Sequence, residues 1–232
     1  MDQPNEIVAQ LGEDNLLRQL SPPQLDNLLR HAVRRDYAAG DTIITQGDET
    51  GDFALLLLSG TLKISLVSAS GREIILNYCA AGELVGEIAL LDSGPRTATV
   101  TAVVPSSALL LPTHTFIEAI STSPATIAGV MRELAKRVRQ QNLVIESDRT
   151  FSMGPRLARA LVRLIDEESS DGGLLYNPSQ SDLGAFAGLA RENVNRLLSE
   201  WEELGVIARR GRTLAVRDPE YLKLLAEFGD DA

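Results

Sequence analysis

The chain has 232 residues, of which 44% are hydrophobic and 23% are charged, and its formal net charge is −10. This composition is typical of a globular protein and excludes a disordered, collagen-like or fibrous chain. No apolar run reaches the length of about 18 residues that a membrane span needs, and the N-terminus lacks the pattern of a secretory signal. The single cysteine, Cys79, excludes an internal disulfide framework and an all-cysteine metal cluster. We therefore expect a cytoplasmic protein without a membrane partner.

Short helices are predicted for the first 36 residues, one of them beginning at Ser21-Pro22-Pro23. From Tyr37 onward, glycines recur at close intervals with short apolar or alternating runs between them, which predicts short strands. The predicted strands lie at residues 43–44, 53–58, 61–66, 74–78, 97–104 and 108–111. Many short strands separated by glycine turns indicate a β-sandwich, roll or barrel.

A helical pattern begins at Thr113, and within it a stripe of residues repeats at intervals of four and three. The stripe consists of Ile127, Met131, Leu134, Val138, Gln141 and Ile145. This spacing favours a coiled-coil seam between two copies of the chain, because the neighbouring basic residues leave only a narrow apolar stripe. The alternative is a helix that packs on its own domain. A new helix is predicted to begin near Ser152, which places a domain boundary near residues 149–152.

The C-terminal third contains a helix-turn-helix pattern. Ser179 and Asp182 approximate a capping box before a short helix at residues 182–187, and Gly188 makes the turn. A second helix is predicted at residues 190–204. Its apolar face carries Val194, Leu197, Leu198, Trp201 and Leu204. Its opposite face presents Arg191, Glu192, Asn195, Arg196 and Ser199.

A basic hairpin is predicted after this helix, with strands at residues 206–208 and 214–216 around Arg209-Arg210-Gly211-Arg212. Residues 189–217 carry six arginines and four glutamates, so the acidic total does not exclude local DNA binding. Arginine can bond both N7 and O6 of guanine, and glutamate can accept from N4 of cytosine. The exposed face of the second helix can therefore read bases. The alternative is that these charges are only solvated.

The most informative stretch runs from Gly82 to Ala98. Gly86-Glu87 opens a short helical segment, and Arg96-Thr97-Ala98 follows before a strand. Backbone N–H groups at a helix start can hold an anion, Arg96 can bond a phosphate with two donors, and Glu87 can accept from a ribose hydroxyl. The alternative for Glu87 and Arg96 is a structural ion pair.

This stretch resembles the cyclic-nucleotide-binding cassette, and the chain over roughly residues 10–217 resembles the cyclic-AMP receptor protein family of transcription regulators. The resemblance extends to Gly40-Asp41, Gly47-Asp48, Gly51-Asp52, Ser59-Gly60 and Arg191-Glu192-x-Val194-x-Arg196. It implies an α+β chain with a jelly-roll-like β-roll for a cyclic nucleotide at residues 1–124. A dimerisation helix at 125–149 and a winged helix-turn-helix DNA-binding domain at 150–232 follow.

The resemblance also assigns roles to residues of the cassette. Gly86 and Glu87 would hold the ribose 2′-OH, and Arg96, with Thr97 and backbone amides, would hold the cyclic phosphate. Leu76, Leu84 and Val85 are expected wall residues. The nucleotide-binding residues expected on the cassette are Val85, Gly86, Glu87, Ile88, Ala89, Arg96, Thr97 and Ala98.

The base preference is open, because the sequence departs from the family on the long helix. Members that bind cyclic AMP usually carry Thr-Ser there, whereas this chain carries Gln141-Asn142. Amide side chains both donate and accept, so they suit adenine N6 or guanine O6. Thr97 resembles a threonine that helps to hold guanine in relatives that bind cyclic GMP. We favour cyclic AMP, with cyclic GMP as a second or competing ligand. Alternatively, Gln141 and Asn142 belong only to the dimer seam.

For DNA, the resemblance implies that Arg191, Glu192 and Arg196 read a TGTGA-like half-site in an inverted repeat. Ser179 and Gln180 would contact the DNA backbone, and Asn195 completes the expected set. The expected partners are double-stranded DNA, a second copy of the chain and RNA polymerase, with no metal and no enzymatic activity. One alternative is the same fold with another effector, such as a cyclic dinucleotide, or with none. The other is a nucleotide-binding module that controls a protein partner.

Overall fold

The structure, a computed structural model, describes residues 7, 11, 15–165, 173–211 and 213–229. Its helices are α1 (Pro22–Arg30), α2 (Glu87–Asp92), α3 (Thr113–Ser121), α4 (Pro124–Thr150), α5 (Met153–Val162), α6 (Gln180–Ala187), α7 (Arg191–Glu203) and α8 (Pro219–Phe228), with a short 3₁₀ helix at Leu16–Gln19. Its strands are β1 (Val33–Tyr37), β2 (Thr42–Ile44), β3 (Phe53–Ser59), β4 (Leu62–Val67), β5 (Glu73–Cys79), β6 (Leu84–Val85), β7 (Thr99–Ala102), β8 (Ser106–Pro112), β9 (Ile207–Arg210) and β10 (Thr213–Val216).

The chain divides into two compact units. The first comprises Met1–Val67 and Asn77–Arg139, and the second comprises Ser68–Leu76 and Gln140–Ala232. The division into domains at residues 1–124, 125–149 and 150–232 stays a prediction. Among the described helices, none has the length and apolar character that crossing a membrane requires.

The predicted β-roll is confirmed as two four-stranded sheets, with strand orders β1-β8-β3-β6 and β2-β7-β4-β5. The unbroken apolar run at residues 53–58 lies in β3, which packs against other residues on both of its faces. Leu55 and Leu57 pack into a cluster with residues of both sheets, whereas Ala54 and Leu56 pack against the helices. Both faces of β3 are therefore buried, and no polar residue alternates with the apolar ones.

The N-terminal prediction was partly wrong, because residues 33–36 belong to strand β1 and not to a helix. The helix start at Ser21 is confirmed, since α1 has Ser21 as its N-cap and Pro22 as its first residue. Strand β1 pairs antiparallel with β8, but its side chains from Val33 to Asp36 are exposed. A strand held by backbone bonds at a sheet edge shows no apolar alternation, so the pattern that identifies half-buried strands is missing.

In the second unit, α5 begins after Ser152, and the capping box of Ser179 and Asp182 is formed at the start of α6. The predicted helix at residues 182–187 thus begins two residues earlier, at Gln180. Gly188 ends α6 in the left-handed conformation at φ 68°. The prediction for Leu204 was wrong, because this residue follows the end of α7 and is 64% exposed. Helix α8 was not predicted.

Candidate functional site

The cassette forms a tight connection between strands β6 and β7. β6 is followed by Gly86, which adopts the left-handed conformation at φ 84° and is the N-cap of α2. After α2, Ser93 is also left-handed at φ 56°, and the backbone N–H of Gly94 donates to Oδ1 of Asp92 at 2.9 Å. These turns bring the chain back, so that Arg96 comes to lie against Gly86.

Arg96 is held by segments that are distant from it in the sequence. Its Nη1 donates to the carbonyl oxygen of Gly86 at 2.8 Å, and its Nη2 donates to that of Phe53 at 2.8 Å. The guanidinium carbon also lies 4.9 Å from the centre of the Phe53 ring. The backbone of Arg96 donates to Asp48 and accepts from Gly47, each at 2.8 Å. The side chain is only 4% exposed, so its position is fixed before any ligand binds.

The charges around Arg96 are acidic. Burial lowers the pKa of Arg96 from its ordinary value, and the carboxylates of Asp52, Asp48 and Glu87 oppose that shift, in decreasing order. Glu87 is itself 5% exposed. A buried cation beside carboxylates stays protonated, and a guanidinium carries more donors than the two carbonyl bonds use. The site can therefore offer a positive, hydrogen-bonding group to an anion.

Gly86 is required for this arrangement by its surroundings as well as by its conformation. A Cβ atom at Gly86 would lie 2.9 Å from Nη1 of Arg96 and 2.9 Å from Cδ1 of Ile44. Both distances are below normal van der Waals contact, so any side chain at this position would displace Arg96. The cradle between Gly86, Glu87 and Arg96 matches what a ribose-phosphate group needs, a close backbone approach and a buried cation.

The structure brings Gly86, Glu87 and Arg96 together and gives the other predicted cassette residues different environments. Ala89 is buried and Ile88 half-buried in α2, while Thr97 is exposed and Ala98 is buried just before β7. Of the expected wall residues, Val85 packs in the interior of the roll, Leu84 packs in the helix-facing cluster, and Leu76 is exposed.

Gln141 and Asn142 are exposed on α4 and belong to the second unit, whereas the cassette belongs to the first. Their contact with a nucleotide base stays a prediction. Phe53 was not predicted as a site residue, although its backbone carbonyl and ring hold Arg96. No sequence signal could have found the carbonyl contact, because every residue has that group.

The stripe along α4 is apolar and exposed in the single chain. Ile127, Met131, Val138 and Ile145 are exposed, and Met131 is the most exposed of them at 66%. Leu134 differs, since it is half-buried and packs against the helix-facing cluster of its own unit. Four of the six stripe positions therefore present apolar side chains to solvent.

The predicted reading face lies on α7. Arg191, Glu192, Asn195 and Arg196 are exposed, while Val194, Leu197, Leu198 and Trp201 are buried and fix the rotation of the helix. Helix α6 packs tightly against the turn that precedes α7. A Cβ atom on Gly184 would lie only 2.7 Å from the carbonyl oxygen of Leu189, so no side chain fits there. Gly184 therefore sets how tightly the two helices of the pattern approach each other.

A line of hydrogen bonds crosses the surface of α7. The Nε2 of Gln180 donates to Oδ1 of Asn195 at 2.9 Å, and the hydroxyl of Ser199 donates to the carbonyl oxygen of Asn195 at 3.0 Å. Nη2 of Arg209 then donates to Oγ of Ser199 at 3.1 Å. The first residue of α6, the middle of α7 and strand β9 are thus joined through polar groups.

The predicted basic hairpin is confirmed, but its arginines differ in their surroundings. Strands β9 and β10 pair from Ile207 with Val216 to Arg210 with Thr213, so Arg209 and Arg210 lie in a strand. Arg209 donates through Nε to Oε2 of Glu202 at 2.8 Å, and its backbone N–H donates to Oε1 at 3.0 Å. These hydrogen bonds lower the pKa of Glu202 below its ordinary value. Arg209 is therefore tied to α7, whereas Arg210 is exposed.

Comparison with known proteins places both sites in recognised families. Residues 34–123 match the cyclic nucleotide-binding domain, and residues 155–225 match the Crp-like helix-turn-helix domain. The chain is 32% identical over 214 residues to the cyclic AMP receptor protein of Thermus thermophilus, covering 92% of this chain and 97% of that protein. It is 27% identical over 223 residues to a CRP-like cAMP-activated global transcriptional regulator of Mycobacterium tuberculosis, covering 94% and 97%. The crystal structure of the Thermus thermophilus catabolite activator protein is similar at a TM-score of 0.51 and 30% identity, covering 91% and 97%.

Proposed function

Because the chain belongs to the cyclic AMP receptor protein family, whose members are cyclic-nucleotide-responsive transcription regulators, we propose that it is a homodimer that binds a palindromic DNA site under the control of cyclic AMP. The observation that carries the proposal is the buried Arg96, held beside Gly86 and Glu87 at the start of α2. A cyclic phosphate is an anion with hydrogen-bond acceptors, and a buried guanidinium that is held in place can donate to such a group with charge-assisted hydrogen bonds.

Each part of the nucleotide has a proposed partner in the chain. Arg96 and Thr97 would bind the cyclic phosphate, and Gly86 with Glu87 would bind the ribose 2′-OH. Val85, Ile88, Ala89 and Ala98 would line the site. Gln141 and Asn142 would contact the base, and their amides allow cyclic GMP as a competing ligand.

The proposed dimer forms through α4. The exposed stripe of Ile127, Met131, Val138 and Ile145 supports it, because isolated chains rarely leave such a regular apolar face in water. Burial of these side chains against a second copy would remove apolar area from water along the whole seam. Gln141 occupies the stripe position between Val138 and Ile145, so a nucleotide that contacts Gln141 would act directly on the dimer seam.

The proposed DNA contact uses the exposed face of α7 in each copy. Arg191 and Arg196 can each donate to guanine, Glu192 can accept from cytosine, and the three together suit a TGTGA-like half-site. Ser179 and Gln180 at the start of α6 would contact the backbone. In a twofold dimer, the two reading helices must lie about 34 Å apart, one turn of DNA. RNA polymerase is the proposed further partner of the DNA-bound dimer.

Control by the nucleotide requires different affinities for two states of the dimer. A coupling of about 1–3 kcal/mol is typical, which corresponds to a change in DNA affinity of about five- to 150-fold. The nucleotide would supply this energy by binding better to the state in which both reading helices match the half-site spacing.

The test measures the binding of a fluorescent TGTGA palindrome by anisotropy with cyclic AMP, with cyclic GMP and without nucleotide. We expect the protein to bind the palindrome tightly and sequence-dependently only when a nucleotide is present. We also expect cyclic AMP to increase the DNA affinity more than cyclic GMP does. Equal binding in all three conditions would indicate a regulator with another effector or with none. Nucleotide binding without any DNA binding would favour a module that regulates a protein partner.

A further inference from the structure

One hydrogen bond fixes a side chain in the middle of the proposed reading face. Gln180 is the first residue of α6, and its Nε2 donates to Oδ1 of Asn195 on α7 at 2.9 Å. Asn195 is exposed between Glu192 and Arg196, so it lies among the groups proposed to face the bases. A free asparagine can present either its oxygen or its amino group, because the amide can turn over. In the structure this bond occupies Oδ1 of Asn195, and the reversed pairing would require the amide of Gln180 to turn over as well.

The backbone that carries Asn195 is also fixed. Its carbonyl oxygen accepts from the hydroxyl of Ser199, and Ser199 accepts from Arg209, which Glu202 holds in turn. The turn of α7 around Asn195 is therefore tied to strand β9 on one side and to α6 on the other. Because the backbone of Asn195 is held, the orientation of its side-chain amide decides whether a donor or an acceptor is presented to the DNA.

We propose that Gln180 is a positioning residue that makes Asn195 a hydrogen-bond donor to DNA, so that Asn195 selects a base with an acceptor on its major-groove edge. This inference rests on the proposed function. Within the part of the chain that the structure describes, Oδ1 of Asn195 accepts from Gln180, while Nδ2 donates to no protein acceptor.

The chemistry of the groove turns this orientation into a base preference. Guanine offers N7 and O6, adenine offers N7 and thymine offers O4 as acceptors, whereas cytosine offers only its N4 amino group. Asn195 therefore disfavours cytosine at the base that it faces. If Gln180 served only as a backbone contact, replacing it would weaken binding to all sequences alike.

The test compares the relative affinities of the full-length protein for all single-base-pair variants of the palindrome. The protein is saturated with whichever of cyclic AMP and cyclic GMP promotes binding of the wild-type chain. In Gln180→Glu the carboxylate can only accept, so it bonds Nδ2 of Asn195 and turns Oδ1 toward the DNA. At one position of each half-site we expect cytosine to gain about tenfold over guanine relative to the wild type. The overall affinity also falls, but the ratio between bases is the readout.

Two further variants complete the comparison. Asn195→Ala should abolish discrimination at the same position, and Gln180→Glu added to Asn195→Ala should then leave the base ratios unchanged. The inference is wrong if Gln180→Glu weakens every sequence equally, or if Asn195→Ala keeps the wild-type preference. A wild-type protein that binds no palindrome with either nucleotide would instead refute the proposed function, and this inference with it.

Discussion

Arg96 lies so close to Gly86 that no side chain fits at position 86. The Nη1 of Arg96 donates to the carbonyl oxygen of Gly86 at 2.8 Å, and a Cβ atom on Gly86 would lie 2.9 Å from that same nitrogen. The glycine thus serves the cassette in two ways, by its left-handed conformation and by the space that it leaves for the guanidinium. This relationship makes the position of Arg96 testable without a substitution of the arginine itself.

The variant Gly86→Ala should bind the nucleotide more weakly, because its methyl group displaces Arg96 from the cradle. We expect the affinity for cyclic AMP to fall about tenfold or more, the scale of one lost charge-assisted hydrogen bond. Isothermal titration calorimetry measures this change.

A matched control is Gly40→Ala. Gly40 is also left-handed, at φ 95°, but a Cβ atom there meets nothing within 4 Å. Both variants therefore carry the same kind of backbone strain, about 1–2 kcal/mol. If Gly40→Ala loses as much nucleotide affinity as Gly86→Ala, general destabilisation explains the loss and the assigned role of Arg96 is wrong.

Replacing Gln141 and Asn142 together by alanine should change the ratio of the affinities for cyclic AMP and cyclic GMP. Each neutral hydrogen bond to the base contributes about 0.5–1.5 kcal/mol, so a shift of a few-fold to tenfold is expected. Calorimetry with both nucleotides gives the ratio, and Arg132→Ala, an exposed change on the same helix, is the control. An unchanged ratio would mean that the two amides serve only the dimer seam.

The variant Val138→Glu should convert the dimer to a monomer. Val138 is exposed on the stripe, and a carboxylate there would have to be buried without a partner in the dimer. Sedimentation equilibrium over a range of protein concentrations measures the association. Arg139→Glu introduces the same side chain one residue further along, off the stripe, and should leave the dimer intact. A dimer that persists in Val138→Glu would place the seam elsewhere.

The two arginines at the end of β9 should respond differently to salt. Arg210 is exposed and free to contact a DNA phosphate, so we expect Arg210→Gln to make the negative slope of log K against log salt shallower by about 0.9. Arg209 is held by Glu202 and Ser199, so Arg209→Gln should weaken DNA binding while the slope is retained. Glu202→Gln should copy the effect of Arg209→Gln. Anisotropy titrations at several salt concentrations measure all three, and a reduced slope in Arg209→Gln would make Arg209 a phosphate contact.

Local patterns predicted much of the fold. The capping box at Ser179, the glycine turns and the buried face of α7 depend on neighbouring residues, so the sequence displays them. Strand β1 was missed because its side chains are exposed and backbone pairing with β8 holds it. Helix α8 was missed although Asp218 caps it and Pro219 opens it, which are recognisable start signals.

In the candidate sites too, local motifs were predictable from the sequence, whereas contacts between distant residues were not. Gly86, Glu87 and Arg96 form a recognisable motif, but the bond from Arg96 to the carbonyl oxygen of Phe53 joins residues 43 positions apart. Likewise, no sequence pattern separates the side chains that are proposed to contact DNA from those that bond within the protein. Only the structure assigns Arg209 to Glu202 and Gln180 to Asn195.

The most direct test of the account is the linkage between the two sites. Calorimetry gives the dissociation constant of cyclic AMP with and without a saturating TGTGA palindrome, and anisotropy gives the DNA affinity with and without cyclic AMP. Linkage requires both ligands to strengthen each other's binding by the same factor, and we expect a factor of about five or more. A cyclic AMP affinity that is the same on and off the DNA would contradict the claim that the nucleotide controls DNA binding.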